Sequence, residues 1–277
     1  MFKTVEFPNK TFATKKEMYR HLMANKDDII SLKKAQVYKS HEKGQFTYLN
    51  AEKAMKAVQN KSFEAKSDCI YPIVSTTRYL DSHMDVHFDG CFTKTVQEQQ
   101  GKVLYALDHQ LKYDSVIAWQ KDVRMFVADV DWSLVGKSYS GTTQALVFEI
   151  AKDKIKRKDV LESIENKDAD FENSISMLYH KIKLGINDTD PEFKEAYDYY
   201  QSKVELIANK SDVEITGHFW GVEELGIYKE GSLVVAGGSN DATSIYTKDI
   251  EAVNDTSKTE PSENDTQFID ILKQIKI

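Results

Sequence analysis

Asp68-Cys69-Ile70-Tyr71-Pro72-Ile73-Val74-Ser75-Thr76-Thr77-Arg78-Tyr79 is the stretch at which the chain changes character. Residues 36 to 67 before it are polar, rich in Lys, Gln and Asn, and weakly periodic. The stretch itself is dense in Ile, Val, Thr and Tyr, which suit a pleated, half-buried surface, and it predicts one or two strands. Downstream, further β-forming runs occupy Lys102–Leu107, Ser115–Trp119, Val123–Val130, Gln144–Ile150 and Asn173–Leu184. A last pair covers Val213–Trp220 and Gly226–Ala236, closed by Gly237-Gly238. Helical signals are few. A short helix fits about Cys91–Gln99, and a polar one fits Lys158–Asn166. The clearest begins at Asp190-Pro191, with Pro at the first helical position. Phe193, Ala196, Tyr197, Tyr200, Val204 and Ile207 then follow one of its faces. Strands do not alternate with helices as parallel units require. The expected class is therefore α+β, a mainly antiparallel β-barrel-like core wrapped by a few helices.

The flanks read differently. Upstream, Thr14-Lys15-Lys16-Glu17 has capping-box spacing, and Met18, Leu22 and Met23 continue a helical pattern, which Asp27-Asp28-Ile29-Ile30 extends or restarts. Downstream, residues 251–266 are acidic and polar, as in a linker. Residues 268–277 form a short amphipathic segment that is marginal as a free helix and would gain order by docking. Three regions result: a helical arm and connector over 1–67, a core over 68–247, and an acidic linker with an amphipathic tail over 248–277.

Composition excludes several classes. The 277 residues carry 37 Lys plus Arg against 44 Asp plus Glu, a formal charge of −7. That balance argues against a nucleic-acid partner, whose footprint would be basic. No apolar run reaches the ~20 residues of a membrane span, and the N-terminus has no apolar signal core. The reading is a cytoplasmic protein with no membrane partner. The two cysteines, Cys69 and Cys91, cannot build a disulfide framework, and no C-x-x-C pair is present to hold zinc. Four Pro and 12 Gly are too few for a low-complexity chain.

Most chemical motifs fail on inspection. Gly136-Lys137-Ser138 resembles the end of a phosphate-binding loop, but Asp131 stands where the first Gly is needed. No G-x-S-x-G elbow or G-x-G-x-x-G turn occurs. His83, Asp85 and His87 alternate, so a strand would place them on one face, where they could hold a divalent metal. A solvated turn leading into Gly90 explains them equally simply. His109 is the best-placed histidine, because the apolar run Val103–Leu107 carries it to a strand end. By itself that placement is ordinary.

Several blocks together resemble a known family. Asp85-Val86-His87-Phe88-Asp89-Gly90-Cys91-Phe92 looks like an Asp and apolar residue before a Gly-small-Phe turn that opens a helix. Leu104-Tyr105-Ala106-Leu107-Asp108-His109 looks like an apolar strand ending in Asn/Asp-His. Ser174-Ile175-Ser176-Met177-Leu178-Tyr179 is similar to a Gly-Leu-Ser-Ile-Gly-Tyr strand. Tyr228-Lys229-Glu230-Gly231-Ser232-Leu233-Val234, then Asn240-Asp241-Ala242, resemble a closing Leu-x-Glu-Val-Ser-Leu-Val and Ala-Asn-x-x-Ala. The family is the prohead maturation serine proteases of tailed bacteriophages, related in fold to the herpesvirus assembly protease. The resemblance covers the core alone, over about 160 residues.

The resemblance implies a Ser-His-Glu serine protease with Ser176 as nucleophile, His109 as general base and Glu230 as orienting acid. The roles are chemically coherent. A Ser hydroxyl needs a base within reach, and the base needs a third group to hold its tautomer. Two departures keep rivals open. The family's bracketing glycines are here Ser174 and Leu178, and Ser174 shares a strand face with Ser176, which makes it the rival nucleophile. His218, on a predicted strand, is the rival to Glu230, since related viral proteases use a second His. The implied activity is processing of scaffold or capsid protein, and of the chain itself, within the assembling procapsid in the host cytoplasm. Its partners would be capsid and scaffold proteins, with self-association into a homo-oligomer allowed, and it would need no cofactor or metal. The alternative from another class is a non-proteolytic capsid-assembly or scaffold-like protein on the same fold. A metal-dependent hydrolase built on His83, Asp85 and His87 is the third reading.

Overall fold

The computed structural model describes residues 1–41, 48–49, 65–166, 168 and 171–235. The chain divides into two compact units, with Met1–Ile29 in the first and Ile30–Ile245 forming the second. The expected acidic linker, the amphipathic tail, the Gly237-Gly238 closure and Asn240-Asp241-Ala242 lie outside the described residues.

In the first unit, helix α1 spans Lys15–Ala24. The Thr14 hydroxyl accepts from the Glu17 amide, and the Glu17 carboxylate reaches back to the Ala13 amide. One orphan donor of the first turn is thereby satisfied, and the return bond reaches the amide just before the Thr14 cap. The Phe7 and Phe12 rings lie 4.4 and 5.4 Å from the His21 ring. After Asn25, α2 runs over Lys26–Ala35.

The second unit holds two sheets. The stretch at residue 68 becomes a single strand, β3 (Cys69–Thr76), buried at all eight positions. Burial on both faces explains why its sequence is a continuous apolar run and not an alternation. It pairs antiparallel with β2 (Tyr48–Leu49) and β8 (Thr142–Ala151), and β8 pairs antiparallel with β7 (Arg124–Asp131). The other sheet has the order β1 (Tyr38–His41), β9 (Phe171–Ile186), β10 (His218–Val235), β5 (Leu104–Leu107), β6 (Val116–Ala118), and β4 (Asp85–His87) also pairs with β10. Its β4 and β5 run parallel to β10, and every other pairing in both sheets is antiparallel. Among the described residues the pairings form two open sheets and no closed barrel. β1 lies in the stretch that reads as connector, yet it is a full neighbour of β9.

The sheets meet through Tyr105 and Phe148, whose rings are 6.1 Å apart. Gly231 on β10 is part of this contact. A Cβ there would sit 2.7 Å from the Phe148 ring and 3.2 Å from Val74. Gly231→Ala is therefore expected to cost about 1–3 kcal/mol through overpacking, seen as a lower midpoint in urea.

The helices around the sheets are α3 (Thr93–Glu98), α4 (Lys158–Asn166), α5 (Lys194–Lys203) and α6 (Lys210–Thr216). The helix expected from Asp190 is interrupted, with 3-10 turns over Pro191–Phe193 and Val204–Leu206 flanking α5. Its apolar face still buries Phe193, Ala196, Tyr200, Val204 and Ile207, while Tyr197 is half-buried. Val213–Thr216, read as strand, is helical. Gly217 ends that helix with φ +74, its amide donating to the Val213 carbonyl. The β-branched Val213 packs beside Leu80, Val86 and Phe219, so burial overrides its strand preference. The expected strand pair is one continuous strand, β10, and Gly226 lies inside it. Among the described residues, no helix is long and apolar enough to cross a membrane.

Candidate active site

Strands β9 and β10 place Ser174, Ser176, Glu230 and Ser232 on one face. Ser232 pairs with Ser174 and Gly231 with Ile175, after which the register jumps to Ile227 opposite Met177. Tyr228, Lys229 and Glu230 therefore occupy a bulge opposite Ser176. Lys229 takes φ +70, a left-handed conformation that is uncommon for a side chain of this size. Bulges re-aim side chains, and here Glu230 turns toward the two serines. Ile175 and Met177 point the other way and are fully buried.

His109 arrives from β5. The Asp108 amide donates to the Leu233 carbonyl at 2.9 Å, and the Gln110 amide to the Leu107 carbonyl at 3.0 Å. Asp108 and His109 have φ +50 and +54. Two consecutive positive φ values within a closed four-residue turn match a type I′ turn. Left-handed non-glycine residues cost about 1–2 kcal/mol each, a strain of the kind held at functional sites. The His109 amide donates to the Ser232 hydroxyl at 3.2 Å, which pins the turn to β10.

The His109 ring spans the site. Its Nδ1 is 2.8 Å from Glu230 Oε1, and its Nε2 is 2.7 Å from Ser174 Oγ. Ser176 sits elsewhere. Its hydroxyl donates to Glu230 Oε1 at 2.5 Å and lies 3.5 Å from His109 Nδ1, on the carboxylate side of the ring. Of the two serines weighed as nucleophile, the structure brings Ser174, and not Ser176, to the nitrogen that can take its proton. Ser174 is fully buried, Glu230 is 2% exposed and the His109 side chain 9%.

Burial pushes the Glu230 carboxyl up. The His109 hydrogen bond and charge, with the Ser176 and Ser232 hydroxyls, outweigh burial and leave it below the usual carboxylate range. A depressed folded value stabilises the fold above the ordinary carboxylate range, and that contribution is lost as pH falls through the folded value. The stability gap between wild type and Glu230→Gln should therefore narrow on acidification, measured by urea unfolding at a series of pH values below neutrality.

The remaining sequence candidates lie apart. His218 begins β10, paired with Ile186 at the far end of the ladder from Ser174. Twelve residues of strand separate the two ends, on the order of 40 Å at ~3.3 Å per residue. Asp85 pairs with Lys33, and His87 Nε2 lies 3.2 Å from the Tyr179 hydroxyl, so His83, Asp85 and His87 do not converge. Among the described residues, no group of three or more His, Cys, Asp or Glu is placed to hold a metal ion. Cys69 and Cys91 are both buried and free.

Sequence reasoning missed Ser232. The signal was present: Glu230 and Ser232 are two apart on a strand and must share a face. What hid it was the bulge at Lys229, whose backbone conformation no pattern of side chains announces. No protein-family model, curated protein or solved structure matches this chain.

Proposed function

We propose that the chain is a serine endopeptidase with a Ser174-His109-Glu230 triad. One observation carries the reading: a single half-buried imidazole lies within hydrogen-bond distance of a serine hydroxyl through Nε2 and of a carboxylate through Nδ1. Glu230 holds the tautomer that leaves Nε2 free to accept. Ser174 Oγ then attacks the scissile carbonyl carbon as its proton passes to Nε2. The imidazolium, stabilised by Glu230, returns that proton to the leaving amine, and water repeats the sequence on the acyl-enzyme. The sequence resemblance supports prohead maturation as the setting, with capsid and scaffold proteins as substrates and the chain's own flanks as further cleavage sites. The barrel-like core belongs to the same reading, supported by the close packing of the two sheets at Gly231.

The full burial of Ser174 favours a second reading, a non-proteolytic capsid-assembly protein that retains the constellation. A fluorophosphonate probe separates the two. An endopeptidase is labelled on the peptide containing Ser174, mapped by mass spectrometry. No labelling of the folded protein, together with no trimming on co-expression with its capsid protein, leaves the second reading.

A further inference from the structure

We propose that Ser176 and Ser232 act as a two-hydroxyl clamp on Glu230, positioning residues that fix the orienting carboxylate through both of its oxygens. The inference rests on the triad reading and assigns the serine that the resemblance would make the nucleophile to a different task.

Four contacts close the arrangement. Ser176 donates to Oε1 at 2.5 Å from β9, and Ser232 donates to Oε2 at 2.5 Å from β10. His109 Nδ1 shares Oε1 at 2.8 Å. The Ser232 hydroxyl also accepts from the His109 amide at 3.2 Å. Ser232 therefore ties the backbone of the base to the acid that orients its ring. A carboxylate buried to this degree needs donors on both oxygens, because an ion without partners in a low-dielectric site is costly. Here three donors come from three separate elements, so the carboxylate plane is set by β9, β10 and the β5 turn together. A glutamate raised on a bulge has rotatable bonds to spare, and two hydroxyls from packed strands remove that freedom. Such support for a catalytic constellation is what holds it within a productive geometry.

Among the described residues, the couple has these titratable neighbours by sequence and by strand register. His109 has Asp108 beside it on the turn, and Lys229 and Tyr228 flank Glu230 on β10. By register, Lys39 and His41 of β1 stand opposite Ser176 and Ser174. Hydrogen bonds to the charged form of an acid favour that form. Removing one raises the proton affinity of the Glu230 carboxylate, so the pH at which Glu230 takes up its proton moves up.

The test uses the full chain with two readouts. One is the rate of fluorophosphonate labelling against pH, and the other is the NMR titration midpoint of the Glu230 carboxyl. Ser232→Ala is expected to slow labelling about tenfold to a hundredfold, the scale of a misplaced catalytic group. It should also raise the Glu230 midpoint by roughly half a unit to one unit. Ser232→Thr, which keeps the hydroxyl, should recover most of both. Ser176→Ala should move both readouts in the same direction, and it carries the test if Ser232→Ala fails to fold. An unchanged Glu230 midpoint in a folded alanine variant overturns the clamp. Loss of labelling with an unmoved midpoint overturns it too, since that is a structural effect alone. If the wild type does not label at all, the protease reading fails, while the midpoint shift still decides the clamp.

Discussion

Ser174→Ala is expected to abolish fluorophosphonate labelling and self-processing, with a loss of ~10⁴ or more in rate. The fold should survive, because a single oxygen is removed and alanine fits the same strand. His109→Ala should be about as damaging, and the double variant scarcely worse, since triad members act as a unit. The argument is geometric. A general base works through the nitrogen that faces the nucleophile, and His109 Nε2 faces Ser174 at 2.7 Å while Nδ1 is engaged by Glu230. Ser176 lies against the carboxylate, so Ser176→Ala should retain measurable labelling, well above the Ser174→Ala level. The reverse pattern, with Ser176→Ala inactive and Ser174→Ala near normal, would return the nucleophile to the position that the resemblance implies.

The largest stability effect is expected at Lys33. This side chain of α2 is 2% exposed, and its ammonium lies 2.5 Å from Asp85 Oδ1 and 3.1 Å from the His83 carbonyl. The rings of Tyr38 and Trp220 lie 5.6 and 5.8 Å from the same charge. Asp81 stands beside the pair, its carboxylate accepting from the His83 and Asp85 amides. Burial, with the neighbouring Asp85 charge, raises the Asp81 carboxyl well above its ordinary value. Lys33→Ala leaves the Asp85 carboxylate buried without its cation, and should cost about 3–5 kcal/mol. The double variant Lys33→Met, Asp85→Leu should recover most of that loss, because an apolar pair of similar size needs no desolvation. Urea unfolding of the two single variants and the double variant measures the coupling. A single-variant loss below about 1 kcal/mol, the range of exposed ion pairs, would mean that water reaches Asp85 and the pair is not a buried one.

Local chemistry made much of the fold legible. Thr14 and Glu17 mark the start of α1, because capping groups must lie within one turn of the amides they satisfy. Lys158–Asn166 reads as a helix and is one. The β-forming runs around Leu104, Val116, Arg124, Thr142 and Phe171 each became a strand, since burial of one continuous apolar run leaves few other options. Errors fell where long-range packing overrides local preference. Val213 and Ile215 favour strand by type, yet Gly217 supplies a left-handed stop and Val213 finds a helical place in the core. Val213–Trp220 and Gly226–Ala236 read as two strands, whereas β10 runs unbroken over His218–Val235, with Gly231 bare because Phe148 fills the space of a side chain.

His109 and Glu230 were legible as residue types suited to a base and an acid, and alternation along β9 placed Ser174 and Ser176 on one face. The sequence by itself therefore determined that the chain is mixed α and β, and its resemblance pointed to His109, Glu230 and a choice of two serines, without Ser232. Only the tertiary structure places one of them, Ser174, at His109 Nε2 and the other against Glu230. The choice depends on a bulge at Lys229, a left-handed turn at Asp108-His109 and the strand register that sets Ser232 opposite Ser174. Each is a property of how separate strands meet, settled by packing energies summed over both sheets, and no spacing within one segment encodes it.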